Sequence, residues 1–196
     1  MKTNYQISTM KKRFITYIII ILAAHLTSFG RNITSYDGTA GLSNGYVVSF
    51  AQDGDGYVWV ATEDGLNRFD GKRFKTFNRF NSGLSGNEFN SIEFSPGYPD
   101  SLWIATQRDG LCVYDRTTGL IKKSQNNKLR SPDITAIVPA SDKGLLLAHY
   151  HFGIQYYDPS TSIVRNYDYS TIPGLPRGAW TVADAKNHNS IYVGHT

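Results

Sequence analysis

The side chains best suited to chemistry lie in one short stretch, His149-Tyr150-His151-Phe152. Its two histidines lie at i and i+2, a spacing that places them on one face of a strand. Such a pair can begin a metal site, but no third ligand is near in the sequence, so no metal is expected. Aromatic rings beside His and Arg suit a stacked sugar or an anionic ligand, and Arg177 and Trp180 are expected on the same face. Ordinary packing of loops is the favoured alternative.

A second candidate is the acidic turn Asp53-Gly54-Asp55-Gly56. A calcium loop of the helix–loop–helix type needs oxygen ligands at alternate positions, a glycine at the sixth position and a glutamate at the twelfth. Here the second glycine is already at the fourth position, Tyr57 is at the fifth, and the matching turn at residues 95–100 lacks the pattern. We therefore expect a hairpin turn without a metal.

Residues for covalent or acid–base catalysis are not indicated. We expect no nucleophile elbow of the Gly-x-Ser-x-Gly type and no carboxylate pair, and hence no catalytic, cofactor-binding or metal residue and no cofactor. The fold alone does not exclude an enzyme. Cys112 is the single cysteine, so an internal disulfide is impossible. Its place in Leu-Cys-Val-Tyr predicts a small buried core residue rather than a reactive thiol.

The elements that must position these residues are repeats. Three segments align and a fourth begins near Trp180. The equivalent large residues are 44, 43 and 46 residues apart, at Trp59, Trp103, Leu146 and Tyr192. In the first repeat, Asp-Gly turns separate four short runs rich in β-branched and aromatic residues. Four strands in 40–50 residues are typical of a propeller blade, whereas helical repeats would need a 3.6-residue period.

The predicted fold is therefore all-β, a β-propeller of four-stranded blades that is incomplete, with about three and a half blades in residues 31–196. The blades are expected at about 41–80, 83–124, 129–170 and, truncated, 178–196. Residues 31–36 are expected to form a lone additional strand. Because such a chain cannot close a ring, we expect it to be poorly soluble by itself.

Repeated residues are assigned to blade architecture rather than to a site. The large residues are expected to fill the space between neighbouring blades, because one sheet cannot bury both faces alone. The glycines are expected to open the third strand with a positive φ or a close backbone approach, and the aspartates to close it by bonding the amides of the turn. The large residues are Trp59 and Trp103, the glycines are Gly65, Gly110 and Gly153, and the aspartates are Asp70, Asp115 and Asp158.

Residues 1–30 have the pattern of a signal peptide. Three basic residues at 11–13 precede an apolar run at 14–26, and the small residues Ser28 and Gly30 precede a cleavage site before Arg31. Met10 is a second candidate start, and an uncleaved anchor is the alternative. The formal net charge of +4 comes from this leader. The remainder is near neutral, which argues against a nucleic-acid partner. Whether the leader is cleaved or retained, the rest of the chain is expected to be delivered across a membrane.

The first repeat, Gly41-Leu42-Ser43-Asn44 through Gly56-Tyr57-Val58-Trp59 to Phe69-Asp70, resembles the two-component regulator propeller repeat. The second repeat resembles it well, and the third and fourth weakly, so that the resemblance extends over residues 31–196. This repeat is typical of the periplasmic sensor region of hybrid two-component histidine kinases in Bacteroides-type bacteria. The resemblance implies a glycan-responsive sensor segment that is not itself an enzyme, the kinase being absent from this sequence.

Two other functions stay open at this point: an exported propeller enzyme acting on glycans, and a protein-interaction scaffold. The expected partners are an oligosaccharide or a small-molecule ligand, and either further copies of the chain or missing blades. A membrane is expected as a partner only through the leader or through an absent downstream segment. The sequence leaves the ligand-binding residues unassigned.

Overall fold

The computed structural model describes residues 33–124, 126–185 and 190–195. The predicted signal peptide, residues 1–30, lies outside the described residues. The chain divides into two units, Met1–Ser35 and Tyr36–Thr196, and the architecture that follows is that of the second. No helix in the described part has the length and apolar character needed to cross a membrane.

Fourteen antiparallel strands form three four-stranded sheets and one two-stranded sheet in the described residues, each sheet following chain order. The first sheet contains β1 Val47–Gln52, β2 Val58–Thr62, β3 Gly65–Phe69 and β4 Phe74–Phe77; the second contains β5 Phe89–Ser95, β6 Tyr98–Thr106, β7 Leu111–Asp115 and β8 Leu120–Lys123. The third contains β9 Ile134–Pro139, β10 Leu145–His149, β11 Gly153–Asp158 and β12 Ile163–Tyr167; the fourth contains β13 Thr181–Asp184 and β14 Ile191–Gly194. A short 3-10 turn, Gly38–Ala40, precedes β1, and another, Asn126–Lys128, lies between β8 and β9. The fold is an incomplete β-propeller, as the sequence predicted.

The hydrophobic core lies between neighbouring sheets. Trp59, fully buried, belongs to a cluster that joins the first sheet to the second, and its ring centroid lies 4.6 Å from that of Tyr114. Trp103 packs between the second and third sheets with Tyr157, and Leu146 packs between the third and fourth. The predicted role of the repeated large residues is confirmed. Within the described residues, the second and third sheets thus pack between two neighbours and the first and fourth sheets pack on one, which is the nearest-neighbour stability of a repeat protein.

The repeated glycines and aspartates also have their predicted roles. Gly65, Gly110 and Gly153 all have positive φ. At Gly153 a Cβ atom would lie 2.6 Å from the carbonyl oxygen of Tyr167, so a side chain has no room there. The Asp70 carboxylate accepts hydrogen bonds from two amides of the turn that follows it. Asp115 after β7 and Asp158 after β11 accept amide bonds in the same way. These residues shape the turns.

The lone strand expected at residues 31–36 is not found in the described part, because residues 33–36 have irregular backbone. The ring of Tyr36 instead packs against the first sheet, with centroids 4.7 Å from Phe69 and 5.9 Å from Phe74. This segment therefore contributes a side chain to the sheet, and no backbone pairing.

Candidate functional site

The turn between β10 and β11 meets the connection from β12 to β13 at one face of the third and fourth sheets. Here the ring of Tyr150 lies 4.9 Å from that of Trp180, at an interplanar angle of 75°, and 4.2 Å from the His151 ring. Tyr150 is 39% exposed and Trp180 is 48% exposed. The sequence predicted that Tyr150, His151 and Trp180 would lie on one face, and the structure brings them together.

Backbone contacts fix this arrangement. The amide of Ala179 donates a 2.9 Å hydrogen bond to the carbonyl oxygen of His149, and the hydroxyl of Thr135 donates to the carbonyl oxygen of Ala179. At Gly178 a Cβ atom would lie 1.9 Å from the carbonyl oxygen of Tyr150, so only glycine allows the two segments to approach this closely. The aromatic pair therefore rests on backbone that is bonded on both sides.

Two adjoining cavities open on this face. The first has a volume of about 270 Å³ and is lined by the aromatic pair with neighbouring residues, namely Tyr150, His151, Pro176, Arg177, Gly178, Trp180 and His195. The second has a volume of about 390 Å³ and is lined by Arg130, His151, Phe152, Asp168, Tyr169, Ser170 and Arg177. His151 and Arg177 line both cavities, so a single ligand can contact them together.

The second cavity contains an ion pair and a stacked arginine. Arg130 is hydrogen-bonded to the Asp168 carboxylate, which also accepts bonds from Ser170. The hydroxyl of Ser170 and, after it, the Arg130 guanidinium lower the pKa of Asp168 to about 2, so this carboxylate is ionised at neutral pH. The Arg177 guanidinium lies 4.8 Å from the centroid of the Tyr169 ring, a cation–π contact.

The structure places His149 apart from this surface. The strand β10 ends at His149, which is fully buried, while His151 lies exposed in the turn that follows. The expected pair of histidines on one strand face is therefore wrong. Neither ring nitrogen of His149 has a hydrogen-bond partner among the described residues; Asp133 and Gln155 are near but outside bonding geometry. Burial lowers the pKa of His149 to about 4, so the ring is neutral at pH 7.

The acidic turn forms the predicted hairpin. The Asp53 carboxylate accepts bonds from the amides of Asp55 and Tyr57 and, at 3.0 Å, from the indole of Trp59. The Arg116 guanidinium from the second sheet lies beside Asp53 and bonds to Asp55 and, in addition, to Asp100. The carboxylates of the acidic turn are thus paired with Arg116 of the same chain. Within the described residues, no group of three or more His, Cys, Asp or Glu side chains could hold a metal ion.

The pattern Gly-x-Ser-x-Gly does occur once, at residues 41–45, so its expected absence from the sequence is wrong. The Ser43 hydroxyl is within 2.8 Å of the Thr62 hydroxyl and of the Asn67 amide nitrogen, and no histidine is among its partners. Residues 41–45 precede a β-strand, whereas a nucleophile elbow joins a strand to a helix. Ser43 therefore anchors the start of the first sheet.

Cys112 is fully buried in the core between the first and second sheets, as predicted. Burial raises the pKa of its thiol to about 11. The thiolate is the reactive form of cysteine, so this residue is chemically inert at neutral pH.

Comparison with known proteins places the repeat in a family. Residues 41–64 match the family described as the two-component regulator propeller. The chain carries this propeller repeat. The predicted resemblance is confirmed, and the match covers the acidic turn, the buried Trp59 and the start of the following turn.

Two relatives share substantial sequence with the chain. The extracellular domain described as that of a hybrid two-component system of B. thetaiotaomicron is 37% identical, with a TM-score of 0.74, over 83% of this chain and 24% of that domain. Histidine kinase P4 of Formosa agariphila is 40% identical over 63 residues, which are 32% of this chain and 4% of that kinase. The chain thus spans about a quarter of the first relative and a small part of the second.

More distant structures share the fold alone. A further extracellular domain of a B. thetaiotaomicron hybrid system is 21% identical, with a TM-score of 0.66, over 82% of this chain and 23% of that domain. Virginiamycin B lyase of Staphylococcus aureus is 13% identical, with a TM-score of 0.65, over 85% of this chain and 54% of that enzyme. The likeness to a lyase therefore says nothing about catalysis in this chain.

Proposed function

We propose that this chain is a periplasmic sensor segment of a hybrid two-component system, and that its Tyr150–Trp180 surface binds an oligosaccharide. The similarity to extracellular domains of hybrid two-component systems supports the sensor role. The exposed aromatic pair is the single observation that carries the ligand assignment. A kinase elsewhere in the same protein would then read the binding event through contact between domains.

The geometry of the aromatic pair suits a sugar ring. A pyranose has one face rich in C–H groups, which packs on an aromatic ring, and a rim of hydroxyls, which needs polar partners. The rings of Tyr150 and Trp180 are nearly perpendicular to each other and line a cavity of about 270 Å³, so they can contact a bound sugar from two directions. His151 and the Tyr150 hydroxyl are polar groups at the same edge. Half-exposed aromatic rings grouped in this way are typical of binding surfaces.

Replacement of Trp180 by alanine tests the ligand assignment. The variant is expected to bind oligosaccharides roughly tenfold or more weakly, because a stacked aromatic contact is worth about 0.5–1.5 kcal/mol beyond the area it buries. Isothermal titration calorimetry of the exported protein with a panel of plant and animal oligosaccharides measures the change. The matched control is Phe80→Ala, which removes an exposed aromatic residue from the corresponding connection after the first sheet.

The alternatives predict different outcomes of the same titration. Equal binding by the wild type and the Trp180→Ala variant would contradict the assigned surface. Cleavage of an oligosaccharide by the purified protein would favour an exported enzyme acting on glycans. Binding of a protein with no response to any oligosaccharide would favour an interaction scaffold.

The periplasmic location rests on the leader and on the extracellular relatives. Basic residues at 11–13, the apolar run at 14–26 and the small residues before Arg31 fit removal of residues 1–30 by a signal peptidase. N-terminal sequencing of the exported protein should begin at Arg31. A protein that retains residues 1–30 would instead support the uncleaved anchor.

A further inference from the structure

We infer that the surface selects oligosaccharides that carry an anionic group, such as a uronate carboxylate or a sulfate ester, and that Arg177 binds this group. The inference rests on the proposed function, since it names the class of ligand for the same surface. It is carried by the second cavity, which adjoins the aromatic pair and is lined by three potentially cationic side chains, Arg130, His151 and Arg177.

Two of these three side chains have acidic neighbours within the protein. Arg130 is bonded to Asp168, and bonds from Ser170 and Arg130 keep the pKa of that carboxyl at about 2. The pair is therefore neutral as a whole at the pH of a cell exterior. His151 interacts electrostatically with Asp133, whose pKa is raised by burial. A ligand would gain little net attraction from either.

Arg177 is the cation that remains. Among the described residues, no carboxylate lies within salt-bridge distance of its guanidinium. The carbon of the Arg177 guanidinium lies 4.8 Å from the centroid of the Tyr169 ring. A guanidinium that stacks on an aromatic ring keeps the N–H donors in its plane available to a ligand. A planar fork of donors held in this way matches a carboxylate or a sulfate, which can accept two bonds at once.

The position of Arg177 is fixed by the fold. Its carbonyl oxygen accepts a 2.9 Å hydrogen bond from the amide of Gly153, the residue that opens β11. The next residue, Gly178, touches the Tyr150 carbonyl and leads directly to Trp180. Arg177 also lines the cavity of the aromatic pair. An anionic group bound to Arg177 is therefore beside the cavity in which Tyr150 and Trp180 contact the sugar.

The test compares acidic and neutral probes on the wild type and on Arg177→Gln. The probes are oligogalacturonides for the carboxylate, chondroitin sulfate oligosaccharides for the sulfate, and galacto-oligosaccharides as neutral counterparts of equal length. Calorimetry should show an acidic probe binding to the wild type and binding roughly ten- to hundredfold more weakly to Arg177→Gln. Binding should also weaken as salt is added. The comparison of the two acidic probes identifies which anionic group is preferred.

Arg79→Gln is the matched control, because Arg79 stacks on Phe80 at 4.6 Å in the corresponding connection of the first sheet. Binding should be unchanged in this variant. Neutral probes that bind and respond to Trp180→Ala but not to Arg177→Gln would overturn the anionic selection and leave the proposed function standing. An acidic probe that binds Arg177→Gln as well as the wild type would also overturn it. Failure of every oligosaccharide to bind would overturn both.

Discussion

At the scale of the residue, one position of the repeat shows how a single substitution alters local chemistry. The second strand ends with Thr62 in the first sheet and Thr106 in the second, and each hydroxyl donates to the carbonyl oxygen of the glycine that opens the third strand, at 3.0 and 2.8 Å. His149 occupies this position in the third sheet and makes no such bond within the described residues. A buried polar group without a partner is costly to stability. It is more costly still once it is charged.

Replacement of His149 by threonine should reduce the loss of stability in acid. A histidine in the unfolded chain titrates near 6.5, whereas burial lowers the pKa of His149 to about 4 in the folded protein. The unfolded state binds the proton first, so stability fully present above pH 6.5 is lost as the pH falls toward 4, by up to about 3 kcal/mol. Urea unfolding at pH 7 and pH 4.5 should show a smaller drop for His149→Thr than for the wild type.

A second uncharged replacement supplies the control for that comparison. His149→Gln also removes the titrating imidazole, so its drop in stability between the two pH values should match that of His149→Thr. If His149→Thr and the wild type lose equal free energy of unfolding on acidification, the buried imidazole is not the cause of acid sensitivity.

At the scale of the element, the strands and turns follow from local sequence, and the differences between repeats do not. Alternating apolar residues, Asp-Gly turns and the period of about 44 residues were enough to predict four-stranded sheets with Trp59 and Trp103 between them. The two tryptophans nevertheless differ. The indole of Trp59 donates to Asp53, whereas Ser95 stands at the equivalent position and neither its hydroxyl nor the Trp103 indole has a partner in the described part. Such differences depend on side-chain length at contacts between distant residues.

Only part of the candidate site was predicted, because the rest of it also depends on contacts between distant residues. The turn at 149–152 and the residues Arg177 and Trp180 were placed on one face, because connections at the same end of successive strands meet. Tyr169 and the Arg130–Asp168 pair were missed. They lie in connections without a repeated pattern, and their contacts join residues 38 positions apart. Only the packing of the third sheet shows that Arg177 rests on Tyr169.

The first strands of neighbouring sheets, β1, β5 and β9, are linked by hydrogen bonds to serine hydroxyls, and these bonds yield a prediction for Ser91. The Ser49 hydroxyl accepts a bond from the amide of Ile92 at 3.2 Å, and the Ser91 hydroxyl accepts one from the amide of Ile137 at 3.3 Å. Ser91→Ala leaves a partly buried amide without its acceptor, and it should lower the free energy of unfolding by about 1 kcal/mol. Chemical denaturation measures the change.

Ser101 provides the matched comparison in the same sheet. Its side chain makes no hydrogen bond to the described residues, so Ser101→Ala should leave the free energy of unfolding unchanged. Equal effects of the two substitutions would show that the hydrogen bond to the Ser91 hydroxyl contributes nothing beyond the different strand preferences of serine and alanine.

At the scale of the whole molecule, stability is shared among three clusters, each between two successive sheets. A sheet that has a neighbour on one side only keeps its other face open. In the first sheet Trp59 faces the second sheet, and Val60, the next residue, points to the opposite face. Phe50 is paired with Val60 and shares that face, where it is 74% exposed. The aromatic ring is therefore exposed on a sheet, in a position suited to contact with another chain.

A polypeptide of residues 31–196 is accordingly expected to self-associate through this face, and Phe50→Lys should shift it toward the monomer. A charge placed on the open face disfavours sheet-to-sheet contact, because association would bury it without a partner. Size-exclusion chromatography with light scattering measures the mass as a function of concentration. Phe80→Lys is the control, since Phe80 is 80% exposed but lies in a loop. If the unchanged polypeptide is monodisperse, monomeric and melts cooperatively, the open face is not adhesive, and the association expected from its exposed rings does not occur.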